Sequence, residues 1–170
     1  MRRFVLYVSL LFGLSACTST PKGIEPVEDF ELSQYLGTWY EIARLDHSFE
    51  RGLSQVTAQY SMRDDGGVRV INRGYSKEDQ AWSEAEGKAY FVEDPHTGHL
   101  KVSFFGPFYG SYVVFNLDDA YQQAFVSGPD RSYLWFLSRT PEVSDADKQR
   151  FLKAAKDAGF DTNALVFVEQ

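Results

Sequence analysis

Residues Ser54–Tyr75 read SQVTAQYSMRDDGGVRVINRGY. In Ser54–Arg63, Val56, Ala58, Tyr60 and Met62 alternate with Thr57, Gln59, Ser61 and Arg63, the period of a strand with one dry and one wet face. Asp64-Asp65-Gly66-Gly67 then supplies residues that tolerate positive φ, as a tight hairpin requires, and Val68–Tyr75 resumes a β-branched pattern. The stretch predicts a β-hairpin that turns Val56, Ala58, Tyr60 and Met62 inward.

The same grammar runs through most of the chain. Short segments rich in Val, Ile, Tyr, Phe and Trp, separated by Gly, Asp, Asn and Pro, predict further strands at Gly37–Leu45, Ala81–Val92, His99–Phe104, Ser111–Leu117, Gln123–Gly128 and Tyr133–Arg139. With the hairpin these make eight strands on short connections, which are expected to pair in sequence order as a β-sandwich or barrel. One segment breaks the rhythm. Thr140-Pro141 stops the eighth strand, Ser144 can cap a helix, and Phe151, Leu152, Ala155 and Ala158 form one apolar stripe before Gly159. A helix over Ser144–Ala158 and a last short strand at Ala164–Val168 follow. In the fourth strand Ala85, Gly87, Ala89 and Phe91 alternate with Glu84, Glu86, Lys88 and Tyr90. Small inward residues along a barrel strand suggest room for a ligand, although close packing against a neighbour accounts equally well for any single glycine.

The chain has 170 residues, which fits one domain. Its start, Met1-Arg2-Arg3, an apolar run Phe4–Leu14 and then Ser15-Ala16-Cys17, has the layout of a secretory signal, and the run is short for a bilayer span. Leu14-Ser15-Ala16-Cys17 resembles the lipobox of bacterial lipoproteins, which implies cleavage after residue 16 and lipidation of Cys17; Thr18 in place of Asp implies export to the outer membrane. Cys17 is the only cysteine, so burial rather than a disulfide must stabilise the fold. Loss of residues 1–16 leaves 15 basic against 24 acidic residues, a net charge of −9, and removes any electrostatic case for nucleic-acid binding. Residues 17–29, polar and with two prolines, read as an acylated tether ahead of a domain at 30–170.

Three motifs then carry a family resemblance. Gly37-Thr38-Trp39-Tyr40-Glu41 resembles the opening motif of lipocalins, Leu117-Asp118-Asp119-Ala120-Tyr121 their acidic turn between the sixth and seventh strands, and Leu137-Ser138-Arg139-Thr140-Pro141 the motif that ends the eighth. Strand parity is an independent check: Trp39, Asp118 and Arg139 all fall at one pole of an up-and-down barrel. There an Arg139 guanidinium over the Trp39 indole, with acids nearby, would close the base. The resemblance extends over nearly the whole mature chain and is closest to the outer-membrane lipoprotein branch of the family, which also holds animal apolipoprotein D. It implies an all-β fold, an eight-stranded up-and-down antiparallel barrel with one C-terminal α-helix packed outside. It also implies a non-enzymatic carrier of a fatty acid or lysophospholipid, anchored to the bacterial outer membrane and serving envelope maintenance.

Alternation predicts that Val56, Ala58, Tyr60, Val70, Asn72, Ala89, Val102, Tyr112, Val114, Tyr133 and Trp135 line the cavity. Arg44, His47, Arg51, Lys77 and Arg131 are expected at the open rim, where a head group would sit or where they are simply solvated. Glu41 points inward and needs a partner or a proton, as a structural hydrogen bond or a head-group contact. Phe105, Phe108 and Tyr109, around Gly106-Pro107, form an aromatic loop at the mouth that either meets a membrane or folds in as a plug. Asp46-His47-Ser48 holds triad residue types, but adjacent side chains on an extended loop diverge. His96 and His99 are too few for a structural zinc site, and neither a metal nor a cofactor is expected. An enzyme built on the same barrel around Glu41 and Asn72, or a surface interaction protein with an incidental cavity, are the alternatives. Dimerisation is left open.

Overall fold

The computed structural model describes residues 18–170; Cys17 and the signal-like segment before it lie outside the described residues. Eight antiparallel strands form the body: β1 Gly37–Leu45, β2 Leu53–Met62, β3 Val68–Ser76, β4 Ala81–Phe91, β5 His99–Ser103, β6 Gly110–Leu117, β7 Gln123–Ser127 and β8 Leu134–Ser138. Each pairs with the next, and β1 pairs with both β2 and β8, which closes the sheet into a barrel. A short β9, Leu165–Phe167, adds to the upper half of β1, where β1 and β2 have parted.

The barrel divides the apolar residues into two cores. Inward residues of β1–β8 meet around Trp39, Tyr60, Val70, Val114 and Leu137. Outward residues of β7 and β8, with Ile42 and Val113, pack under helix α2, which spans Asp145–Asp157. Its Phe151 ring lies 4.9 Å from Phe136 and 5.0 Å from Phe125, and Ala155 is buried beside it. Ser144 and Asp147 cap the helix reciprocally, each accepting from the other's backbone N–H. At the far end Arg131 donates to the Ala158 carbonyl, a cation where the helix leaves carbonyls exposed. Arg131, expected at the rim, is thereby tied to the outside of the barrel.

Two parts of the fold differ from the alternation read in sequence. Met62 is exposed, because β2 runs past the barrel floor before it turns. Bulges interrupt the ladders between Glu41 and Ala43 on β1 and between Ser54 and Thr57 on β2. The first reverses parity along β1, so that Glu41 and Arg44 both point inward.

The segment before β1 makes many contacts. Ile24 is buried, Val27 accepts from Gly98 and donates to Val114, and Phe30 donates to His96 while its ring is buried in the inner core. A single helical turn, α1 (Leu32–Tyr35), then lays Tyr35 over the floor of the barrel, 4.8 Å from the Trp39 ring.

Candidate functional site

The floor is built by Trp39 and Arg139. The guanidinium carbon stands 3.9 Å from the indole centroid. Its N–H groups donate to four backbone carbonyls, at 3.2 Å to Tyr121, 2.9 Å to Thr38, 2.7 Å to Gln34 and 2.9 Å to Leu36. One side chain thus ties α1, the start of β1 and the β6–β7 turn together. Gly37, at φ +100°, lies beneath it: a Cβ there would sit 3.2 Å from Arg139 Nη1. Asp118 sits at the same pole, where its carboxylate accepts from the Gln122 and Gln123 amides and shapes the turn.

From this floor the connections β1–β2, β3–β4, β5–β6 and β7–β8 lie at the opposite pole. There the upper half of β4 stands open to solvent. Ala81, Ser83 and Ala85 on β4 point inward, in register with Ser76, Gly74 and Asn72, yet all three are exposed. β5 pairs with β4 only from Lys88 to Phe91, so these three residues stand on an open edge at the mouth. Farther down, Gly87 and Ala89 are buried, and a Cβ on Gly87 would come within 2.8 Å of the Phe104 ring and the Ser103 carbonyl. The glycine therefore makes room for a ring, whereas Ala85 borders open space.

Ala58, Tyr60, Val70, Ala89, Val102, Tyr112, Val114 and Trp135 all join the inner cluster, with Val102, Tyr112 and Trp135 only half-buried. Asn72 lies on the same wall between Ala58 and Ala85. Val56 is buried over Gly74, and Tyr133 stacks on His47 at 3.9 Å beside the mouth. Near the floor the Tyr112 hydroxyl bonds those of Tyr35 at 2.7 Å and Tyr60 at 2.9 Å. Burial keeps all three protonated, the Tyr60 phenol being pushed up to about 12.

A second polar group occupies the β1 wall. Arg44, expected at the rim, is 2 % exposed and pairs with Glu41 at 2.7 Å. It also donates to the carbonyls of Glu50 and Leu53. Glu50, which sequence reasoning did not single out, folds inward from the β1–β2 loop, where its carboxyl accepts from Trp135 Nε1 at 3.1 Å and meets that of Glu41. Burial, and then the Glu41 charge, push the Glu50 carboxyl up to about 8; burial raises Glu41 as well, against the pull of Arg44. A glutamate in a polar loop carries no periodic signal, so this residue was not legible in advance. The other rim cations are engaged elsewhere: Arg51 with Asp46, Lys77 with Glu169, and His47 with the Ser132 carbonyl.

The β5–β6 loop turns outward. Phe105 and Phe108 are 81 % and 71 % exposed, Tyr109 lies half-buried under Lys101, and only Phe104 enters the barrel.

A family model described as a lipocalin-like domain matches residues 30–170. The chain is a lipocalin. This lipocalin is 60 % identical over 168 residues to the outer membrane lipoprotein Blc of Vibrio cholerae serotype O1, covering 98 % of this chain and 97 % of that protein. It is 55 % identical over 161 residues to the protein of the same name from Escherichia coli K12, covering 94 % and 91 %. Apolipoprotein D of Rattus norvegicus is 34 % identical over 94 residues, 55 % of this chain and 47 % of that one. Among solved structures, insecticyanin from the tobacco hornworm superposes with a TM-score of 0.70 at 21 % identity, over 89 % of this lipocalin and 87 % of insecticyanin, a likeness of fold.

Proposed function

We propose that this lipocalin is a non-enzymatic lipid carrier of the bacterial outer membrane, anchored through acylated Cys17 and holding a fatty acid or lysophospholipid tail in the barrel. The observation that carries the reading is the exposure of the inward-facing Ala81, Ser83 and Ala85 toward the mouth, above an apolar, closed floor. The Blc name borne by relatives of this similarity supports the location. Burial of about ten methylenes would contribute roughly 8 kcal/mol, the scale of micromolar binding before the cost of association. In this reading Val70, Asn72, Val102, Tyr112 and Trp135 flank the chain, and the Trp39–Arg139 floor sets how deep it reaches.

The test is native mass spectrometry of a chain that begins at Thr18, purified from bacteria without added lipid, with extraction of whatever is retained. That chain keeps every contact described above. A bound fatty acid or lysophospholipid is expected; a bare protein that also fails to take up either lipid in titration would end the carrier reading. Phe105 and Phe108 would serve the same function by touching the membrane from which lipid is drawn. Phe108→Glu is expected to slow lipid uptake from vesicles severalfold while leaving uptake of dispersed lipid unchanged. Equal loss in both assays would remove the docking role.

A further inference from the structure

The buried trio of Glu41, Arg44 and Glu50 has a charge imbalance that bears on how the barrel opens, a point that rests on the carrier reading. Two carboxyl groups face one guanidinium, all within an interior where an uncompensated charge is costly. Glu41 and Arg44 both come from β1, and their pairing at 2.7 Å neutralises one carboxylate. The second carboxyl, on Glu50, sits against Glu41 and the Trp135 indole and meets this balance by keeping a proton. Other charged groups near it are Asp46 in its own loop, which adds repulsion, and Arg44; on β2 the neutral Tyr60 hydroxyl faces Glu41.

Glu50 differs from its two partners in its support. It belongs to the connection between Leu45 and Leu53, at the mouth, with the exposed Phe49 on one side and the exposed Arg51 and Gly52, at φ +76°, on the other. Its side chain is held inward by the Trp135 bond and the contact with Glu41, while its backbone bonds Arg44, the His47 carbonyl and the Leu53 amide. We propose that the Glu50 carboxyl is a proton-dependent latch for the β1–β2 loop: protonated, it bridges Glu41 and Trp135 and holds the loop in; on losing its proton to bulk water, it is expelled by Glu41 and the mouth opens to ligand.

The direction follows from the raised pKa of the latched carboxyl. The latched loop binds a proton that an open, solvated Glu50 gives up near the ordinary value of 4.5. Between that value and about 8 the latched state is the more protonated one, so the ratio of open to latched loop rises by up to tenfold per pH unit. Below the window both states hold the proton, and above it neither does, so the ratio levels off at each end.

The experiment uses the chain beginning at Thr18, loaded with cis-parinaric acid as a fluorescent fatty acid, and follows its release by stopped flow from pH 6 to 9. Amide shifts of Phe49–Gly52 are recorded by NMR over the same range on unloaded protein. Wild type is expected to release the probe at least tenfold faster at pH 8.5 than at pH 6, with the loop shifts moving in parallel. Glu50→Gln keeps the donor and cannot ionise, so its release should stay slow and vary less than twofold. Glu50→Ala has neither group and should release fast throughout. His47 remains in both variants, so a histidine-driven change would persist in Glu50→Gln and overturn the proposal. Probe binding with loop shifts that do not titrate would overturn it too. Titrating loop shifts in a protein that binds no lipid would leave the latch standing and remove the carrier reading instead.

Discussion

Replacing Arg139 by lysine keeps a positive charge over Trp39 and removes the planar fork that reaches four carbonyls. Arg139→Met removes the charge as well, so the pair separates geometry from electrostatics. The bonds to Thr38 and Gln34 are exposed, and water replaces them at little cost. Those to Tyr121 and Leu36 are partly buried and contribute about 1 kcal/mol each. The cation stacked at 3.9 Å on a buried indole adds about 1–2 kcal/mol. Arg139→Met should therefore lose roughly 3–4 kcal/mol, and Arg139→Lys about 1 kcal/mol, since a lysine retains the stack and one bond. Urea unfolding followed by tryptophan emission reads both: at an m-value near 2 kcal/mol/M, the Met variant's midpoint falls by about 1.5–2 M. A lysine variant as stable as wild type would show that the fork is dispensable and that the floor is held by packing alone.

Arg44→Met should cost about 3–5 kcal/mol in the same unfolding assay, because it strands Glu41 in the interior. The double variant Glu41→Gln/Arg44→Met should recover most of that loss; no recovery would mean that packing of the Arg44 stem, not charge, sets the cost. Gly87→Ala should destabilise by roughly 1–3 kcal/mol as the new methyl meets Phe104 and the Ser103 carbonyl. Ala85→Leu, two residues away on the same face, should change stability by less than about 0.5 kcal/mol and weaken long-chain lipid binding severalfold in a titration. Unaltered binding would show that the space beside Ala85 is not where the lipid lies.

The strands, the hairpin at Asp64–Gly67 and helix α2 were legible because each rests on a local pattern: alternation, a positive-φ turn, a capped apolar stripe. Parity even placed Trp39, Asp118 and Arg139 at one pole. What stayed hidden depends on deviations from period. The bulge at Ile42 turns Arg44 inward, and no residue type announces it. The polar, proline-containing run at residues 17–29 suggested a tether, whereas Pro21 and Ile24 within it find buried places on surfaces that exist only once the barrel has formed. Asp118 and Arg139 share a pole but spend their hydrogen bonds on backbone, a choice that composition does not reveal.

The closing seam of the barrel also bears on how the chain acquires its fold. Tyr40 pairs with Ser138, and Arg44 with Trp135, so the first strand obtains one of its two neighbours from a segment about a hundred residues later. Loop entropy must be spent before that ladder repays it, which places the chain among slow folders of high contact order. Until β8 arrives, β1 presents an unpaired edge that other chains could join. Shielding of that edge by a chaperone would therefore matter most in the interval between the appearance of β1 and that of β8.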